Sequence, residues 1–204
     1  MLNYEKDNIK GITYIAGVDE VGRGCVCGPM VVCAVIMPKD LTNDLINDSK
    51  KLSPKKREFL YQWILDNAIS YSIIELSSAI VDELNPKQCS RYGMQQAINL
   101  LDIKPELILT DFEKIDTPIS QINLVKGDSV SFNIACASIV AKVYRDRIME
   151  ELALIYPKYH FEKHKGYLTK QHKLALQENK IIKHLYRFSY KPIQEMSKEK
   201  KWDI

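Results

Sequence analysis

An apolar run that ends on two adjacent carboxylates and a glycine-rich turn constrains the fold of this chain more than any other feature. Residues 14–18 read Tyr-Ile-Ala-Gly-Val and lead into Asp19 and Glu20, and a Gly-Arg-Gly turn follows at 22–24. Residues 30–36 are again apolar and largely β-branched, so strand, turn and strand predict a β-hairpin. A dinucleotide-binding turn with similar glycine spacing would need a helix at this place, and the sequence predicts a strand instead.

The two carboxylates indicate a cation-binding function. Successive side chains of a strand point to opposite faces, so one ligand reaches both Asp19 and Glu20 only at the strand edge or through water. A hydrated divalent cation meets that condition, and the flanking glycines let backbone N–H groups approach a polar ligand. The alternative is a solvated acidic pair at a strand end, so further acids are needed to decide.

Two further acids stand at the ends of predicted elements. Asp111 ends the apolar run 107–111, and Asp128 follows Lys-Gly just before a long helical pattern. Asp128 alone is also explained as a helix-capping acid. Four carboxylates converging at one sheet edge repel one another unless divalent ions are shared among them, and two such ions promote phosphodiester displacement.

Charge and composition narrow the class of protein. The chain has 204 residues and a net charge of +3, of which residues 157–204 carry +7 and the remainder −4. Basic residues for a phosphate backbone beside acids for metal ions are typical of a nuclease, although lysine-rich helices also serve as soluble faces. Five cysteines without metal-type spacing indicate reduced thiols, and no signal-like or membrane-spanning run is present, so we expect a cytoplasmic protein without membrane contact.

Apolar periodicity predicts alternating strands and helices. Strands are predicted at 13–19, 28–37, 71–77, 106–111 and 121–126, and helices from Ser53-Pro54 onward, at 87–101, 130–155, 169–179 and 192–200. This order predicts an α/β fold with a mixed β-sheet flanked by helices. We expect a catalytic domain over 1–156 and a basic helical C-terminal extension over 157–204, packed on the same domain.

Four segments together resemble ribonuclease HII. They are GVDEVGRGCVCGP (17–29), DSKKLS (48–53), KGDSVSFNIACASIVAKVYRDR (126–147) and YPKYHFEKHKGYLTKQH (156–172), in the order and spacing of that family. The resemblance implies an RNase H-like fold and a two-metal endonuclease that uses Mg²⁺ or Mn²⁺. It also implies cleavage of the RNA strand of RNA/DNA hybrids and nicking 5′ to single ribonucleotides in duplex DNA, which leaves a 3′-hydroxyl and a 5′-phosphate.

The resemblance also assigns roles to individual residues. The catalytic and metal-binding acids are Asp19, Glu20, Asp111 and Asp128, with Asp146 as the competitor for the fourth place. The turn that reads the ribose 2′-hydroxyl consists of Gly22, Arg23 and Gly24, and Tyr167 is the residue that packs on the sugar next to the scissile phosphate. The implied phosphate contacts are Ser49, Lys50, Lys51, Lys165 and Arg187.

Several positions depart from the family pattern. Val21, Cys25, Val26 and Cys27 replace small residues and a proline around the turn, and Phe112-Glu113 replaces the glycine that commonly follows the third aspartate. These changes predict added bulk or an extra carboxylate beside the site, and Cys25 is either an oxidation-sensitive thiol or an inert buried one. We expect a monomer; binding to a replication clamp stays open, as does the alternative of a non-catalytic nucleic-acid-binding module with the same fold.

Overall fold

The computed structural model describes residues 2–199, and within that range it contains five strands and eight α-helices. The strands are β1 (Ile15–Val21), β2 (Met30–Ile36), β3 (Ser70–Leu76), β4 (Leu107–Asp111) and β5 (Ser120–Leu124). The helices are α1 (Tyr4–Asn8), α2 (Pro54–Asn67), α3 (Ser78–Leu84), α4 (Pro86–Asn99), α5 (Phe132–Ile155), α6 (Phe161–His164), α7 (Lys170–Glu178) and α8 (Lys191–Glu199).

The strands form one mixed sheet in the order β3-β2-β1-β4-β5. β1 pairs with β2 in antiparallel fashion, which confirms the predicted hairpin, and pairs with β4 in parallel fashion. β4 and β5 are also parallel. The carboxyl ends of β1, β4 and β5 therefore lie at the same edge of the sheet.

All five predicted strands are confirmed, each to within two residues at either end. The proline-led start of α2 is confirmed, with the Ser53 hydroxyl accepting a hydrogen bond from the Lys56 amide at 3.4 Å. The sequence reasoning missed the short helices α1, α3 and α6. α8 ends at Glu199, so Lys200, the predicted end of that helix, lies with 201–204 outside the described residues.

The start of α5 lies against β1. A Cβ atom at Gly17 would be only 2.1 Å from the backbone carbon of Asn133, so only glycine permits this approach. The small residues of the helix face, 135–138, are all buried, as their size predicted. Helix α5 is thereby fixed over the strand that carries Asp19 and Glu20.

The described residues divide into two compact units. The first unit comprises 2–21, 31–74 and 90–143, and the second comprises 22–30, 75–89 and 144–199. The predicted boundary after residue 156 does not coincide with this division, because two early segments group with the C-terminal residues. No helix within the described part of the chain is long and apolar enough to cross a membrane.

Candidate active site

Four acids gather at one edge of the sheet in the first unit. Asp19 and Glu20 are at the end of β1, and Asp111 ends β4, whose parallel register brings the ends of the two strands level. Asp128 lies in a single 3₁₀ turn, Gly127–Ser129, shortly after β5. Asp19 interacts electrostatically with Glu20 and Asp111, and Asp111 interacts with Asp128.

Asp19 is the most deeply buried acid of this group. Its side chain is largely shielded, with the residue only 6% exposed, and burial raises its pKa well above the usual value. The negative charges of Glu20 and Asp111 raise the pKa further, while hydrogen bonds from Ser138 and from the Glu20 amide, the latter at 2.8 Å, partly offset the rise. The protein thus holds a carboxylate where its charge is unfavourable, which is a mark of functional sites.

Asp111 and Asp128 extend the acidic group. The amide of Gly127 donates a hydrogen bond to Oδ1 of Asp111 at 2.8 Å, which ties the end of β4 to the turn that carries Asp128. Burial raises the pKa of Asp111; the Gly127 hydrogen bond counteracts this, and the charge of Asp128 adds to the rise. Asp146, the competitor for the fourth place, belongs to the second unit.

Lys50 brings a positive charge to the acids. Its Nζ lies 3.3 Å from Oδ2 of Asp128, although the lysine side chain is 79% exposed. Burial lowers the pKa of Lys50, but the charge and the hydrogen bond of Asp128 outweigh this and raise it. Asp48 supports the arrangement by accepting a hydrogen bond from the Lys50 amide at 2.9 Å, a role that its position as a helix-capping residue could have revealed.

Ser49 has a different place from the one predicted. The residue is only 2% exposed, and its hydroxyl lies 3.0 Å from that of Ser138, which in turn bonds to Asp19. A buried hydroxyl engaged in this way is not positioned as a surface phosphate contact. Ser49 and Ser138 form a hydroxyl chain that supports Asp19, and the sequence reasoning missed Ser138 because the small residues of α5 were attributed to packing alone.

The donor set fits a hard divalent cation. Carboxylate oxygens are the protein ligands that Mg²⁺ and Mn²⁺ prefer, and burial of Asp19 among like charges is relieved by a cation. Among residues 2–199 no three His, Cys, Asp or Glu side chains are already grouped tightly enough to hold a metal ion. The acids are therefore in electrostatic contact without forming a closed coordination shell.

The turn that contains Gly22, Arg23 and Gly24 belongs to the second unit. Gly22 has φ of 92°, and a Cβ atom there would lie 2.2 Å from Nε of Arg145, so glycine is required. Arg187 donates hydrogen bonds to the carbonyls of Gly22 at 2.7 Å and of Arg23 at 3.1 Å. Arg187 is fully buried, so its predicted phosphate contact is replaced by a role in holding the turn.

A second buried arginine, Arg145, was missed by the sequence reasoning. Its guanidinium donates to the carbonyls of Pro29, Lys165 and Cys27 at 2.8, 2.8 and 3.2 Å. The sequence analysis considered only its neighbour Asp146, as the competitor for the fourth acid. Arg145 and Arg187 together fix the backbone of the segment that follows β1.

Tyr167 stands beside this turn within the second unit. Its ring lies 3.9 Å from the position of a Cβ at Gly24, and the residue is 46% exposed. Beneath it the buried His172 bonds through Nδ1 to the Tyr167 carbonyl at 3.0 Å and through Nε2 to the Tyr186 hydroxyl at 2.7 Å. A carbonyl only accepts, so Nδ1 carries the proton of a neutral imidazole, and the ring stacks on His164 at 4.0 Å.

Two further predicted phosphate contacts, Lys165 and Lys51, and the Cys25 thiol have identifiable surroundings in the structure. Nζ of Lys165 lies 2.5 Å from the Glu150 carboxylate, so this lysine is already ion-paired within the second unit. Lys51 is exposed, and its Nζ lies 4.0 Å from the carboxylate of Asp48. Cys25 is buried, with its thiol against the Lys165 carbonyl at 3.5 Å, which favours the inert interpretation.

Glu113 is not an additional metal carboxylate. It is buried and lies 2.9 Å from Nε of Arg91, which neutralises it. Phe112 does add bulk, because it is 64% exposed directly after Asp111. Its backbone φ of 68° lies in the region that glycine prefers.

Comparison with known proteins finds a matching family model and similar sequences, all described as ribonuclease HII. Residues 16–193 match the family model described as Ribonuclease HII. The ribonuclease HII of Mycoplasma mycoides subsp. mycoides is 51% identical over 193 residues, which cover 94% of this chain and 93% of that protein. The ribonuclease HII of Ligilactobacillus salivarius is 50% identical over 187 residues, 92% of this chain and 73% of that protein.

Solved structures share the fold. The crystal structure of ribonuclease H2 from Pyrococcus horikoshii OT3 superposes with a TM-score of 0.79 at 25% identity, over 91% of this chain and 98% of that one. The Archaeoglobus fulgidus RNase HII, solved as a complex with PCNA, gives 0.69 at 27% identity, over 81% and 87%. Bst-RNase HIII in complex with Mn²⁺ gives 0.64 at 15% identity, over 93% and 70%, and this likeness concerns the fold alone.

Proposed function

Because the chain belongs to the ribonuclease HII family, we propose that it nicks duplex DNA 5′ to single embedded ribonucleotides as well as cleaving longer hybrids. Family membership establishes an RNase H-type endonuclease, a metal-dependent hydrolase of the RNA strand in RNA/DNA hybrids, and so removes the non-catalytic alternative. The observation that carries the proposal is the buried Asp19, whose carboxylate interacts electrostatically with Glu20 and Asp111 at one sheet edge.

We propose Asp19, Glu20, Asp111 and Asp128 as the ligands of two Mg²⁺ or Mn²⁺ ions. When bound, such ions supply an activated water and stabilise the leaving 3′ oxygen of the phosphodiester. The chain itself orients the ligands: the Ser49–Ser138 hydroxyl chain holds Asp19, and the Gly127 amide holds Asp111. Lys50 is positioned by Asp48 to contact a phosphate of the substrate once ions replace it at Asp128.

Recognition of the ribonucleotide is assigned to the second unit. The backbone of Gly22, Arg23 and Gly24 would contact the 2′-hydroxyl, the one group that distinguishes RNA from DNA at a given site. Arg187 supports this role because it fixes the carbonyls of the turn from its buried side. Tyr167 would pack on the sugar next to the scissile phosphate.

The catalytic assignment is tested with three duplexes that contain one ribonucleotide, four ribonucleotides or none, each with Mg²⁺, Mn²⁺ or chelator. We expect 5′ nicking of the first two only, with loss of activity in chelator. Asp19→Asn and Asp111→Asn should each reduce kcat by at least about 100-fold, whereas Asp146→Asn is the matched acid that should retain activity. Wild-type rates for both catalytic variants would contradict the assignment.

The role of Tyr167 is tested by comparing two substrates. We expect Tyr167→Ala to lose more activity on a single-ribonucleotide duplex than on a long RNA/DNA hybrid, because the ring meets the sugar at the junction. Tyr71→Ala, at a residue of similar exposure (42% against 46%), is the control. Equal loss on both substrates would remove junction sensing from Tyr167.

We propose that the protein acts on these duplexes as a monomer. The Archaeoglobus fulgidus relative was solved in complex with PCNA, so we propose a sliding clamp as a further partner to be tested. Size-exclusion chromatography with light scattering, with and without clamp, tests both points. A peak at twice 23.5 kDa would contradict the monomer.

A further inference from the structure

We propose that Phe112 and Val125 form an apolar contact for a sugar of the cleaved strand next to the scissile phosphate, so that Phe112 is a specificity-determining residue. The inference rests on the proposed function, since it takes Asp111 to act at that phosphate. It concerns the residue that directly follows Asp111 at the end of β4.

The backbone at Phe112 is unfavourable for a phenylalanine. Its φ is 68°, and the Glu113 amide donates to the Asp111 carbonyl at 2.9 Å, closing a three-residue turn around it. A positive φ is an outlier for a bulky side chain, and tight turns of this kind are rare and strained. Such strain persists at functional sites, where the surrounding structure over-determines it.

The surroundings do over-determine this turn. The carbonyl of Glu113 accepts hydrogen bonds from the Thr110 hydroxyl at 2.7 Å and from Nδ2 of Asn123 at 2.9 Å. The Glu113 carboxylate is ion-paired with Arg91, and the Phe112 amide donates to the Leu124 carbonyl at 2.9 Å. This network of hydrogen bonds and the ion pair therefore holds an exposed aromatic ring in place.

Phe112 has an apolar neighbour. Asp111 pairs with Leu124 in the parallel register of β4 and β5. Phe112 and Val125 are the next residues along these two neighbouring segments. Phe112 is 64% exposed and Val125 is 71% exposed, although both side chains are apolar. Both exposed apolar side chains follow strand ends at the edge that carries the acids, and the proposal takes them together as one apolar surface.

Charge decides which occupant fits this surface. Lys126 follows Val125, is exposed, and also has a positive φ, of 55°. The turn after it leads directly to Asp128. Phe112 directly follows the proposed acid Asp111, and Val125 precedes the cation Lys126 and lies three residues before Asp128. This combination matches a sugar and its flanking phosphate, because sugars lie on both sides of a scissile phosphate in a strand. A sugar face offers the C–H surface that an aromatic ring packs on.

The test uses Phe112→Gly, which relieves the backbone strain while removing the ring. We expect the Kd for a single-ribonucleotide duplex, measured by fluorescence anisotropy in chelator, to rise about 3- to 10-fold, the range of one aromatic contact. The Tm should stay the same or rise. Phe112→Tyr should bind within twofold of wild type, and Phe59→Ala, at an exposed phenylalanine of α2, should leave Kd unchanged.

Unchanged binding by Phe112→Gly would overturn the proposal, and so would a lower Tm accompanying weaker binding, which indicates a structural role. In Mg²⁺ the variant should show a raised KM with kcat within about twofold. Asp19→Asn separates the two levels of argument, because it is expected to abolish cleavage without weakening duplex binding in chelator. Cleavage by Asp19→Asn would refute the catalytic assignment, whereas the Phe112 contact fails only on its own binding data.

Discussion

Acidification should destabilise the protein through the buried His172. The residue is fully buried, and burial lowers its pKa from 6.5 to about 4, with the stacked His164 lowering it further and the Tyr167 carbonyl opposing the change. Because the folded-state pKa is below the unfolded one, the unfolded state takes up a proton first as the pH falls below about 6.5. Stability is therefore fully present above that pH, declines as the pH falls, and stops declining near pH 4.

The magnitude follows from the two pKa values. One pKa unit corresponds to about 1.36 kcal/mol, so His172 accounts for roughly 3 kcal/mol over the whole range. Between pH 7.5 and 5.5 the same linkage gives about 1.4 kcal/mol, or tenfold in the unfolding equilibrium. This is a large part of the total stability of an ordinary domain.

Urea unfolding followed by circular dichroism at pH 7.5 and 5.5 measures this loss. His172→Gln should lose about 1.4 kcal/mol less than wild type between the two pH values, although its stability at pH 7.5 is lower. His184→Gln, at an exposed histidine, should behave like wild type. The reasoning is refuted if wild type and His172→Gln lose the same free energy, or if the His172 imidazole titrates near 6.5 by NMR in the folded protein.

Three further changes test the packing and the charges of the first unit. Gly17→Ala should cost about 3 kcal/mol or more, seen as a lower Tm, because the new Cβ would lie 2.1 Å from the Asn133 backbone; a Tm within a degree of wild type would contradict this. Glu5→Ala should cost about 1–2 kcal/mol in urea unfolding, because its carboxylate accepts hydrogen bonds from the Asn133 amide at 2.9 Å and others at the start of α5; Glu5→Asp is the control. Lys50→Met should change the free energy of unfolding by no more than about 1 kcal/mol, because the amine that pairs with Asp128 is exposed to solvent and such ion pairs contribute little. It should also reduce the salt slope of duplex binding by about one, and an unchanged slope would exclude the phosphate contact.

The sequence was sufficient for the elements that leave local signals. The strands that carry Asp19 and Asp111 were predicted because each is an apolar run followed by a polar residue. Their parallel pairing was not predicted and is a finding of the structure. The hairpin was predicted because residues 30–36 are β-branched where a helix would be needed for another fold. Asp19, Glu20 and Asp111 could be grouped from these ends, whereas Asp128, which a helix cap also explains, was added through the family resemblance.

The supports of those acids could not be predicted in the same way. Ser138 occupies a small-residue position that packing also explains, and its bond to Asp19 depends on how α5 lies over the sheet. Arg187 follows a basic, lysine-rich stretch, where an exposed cation is the usual outcome, yet it is fully buried among carbonyls. Contacts between residues far apart in sequence decide both cases, and no local pattern encodes them.

The turn at Gly22 depends on a residue that is synthesised long after the turn itself. The Arg187 guanidinium that holds its carbonyl is 165 positions further along the chain. A growing polypeptide therefore contains Asp19 and Glu20 long before it contains the side chain that shapes the adjoining loop. During synthesis the loop stays unbraced until residue 187 has left the ribosome, so a truncated product that stops before residue 187 would keep the acids and lack the braced loop.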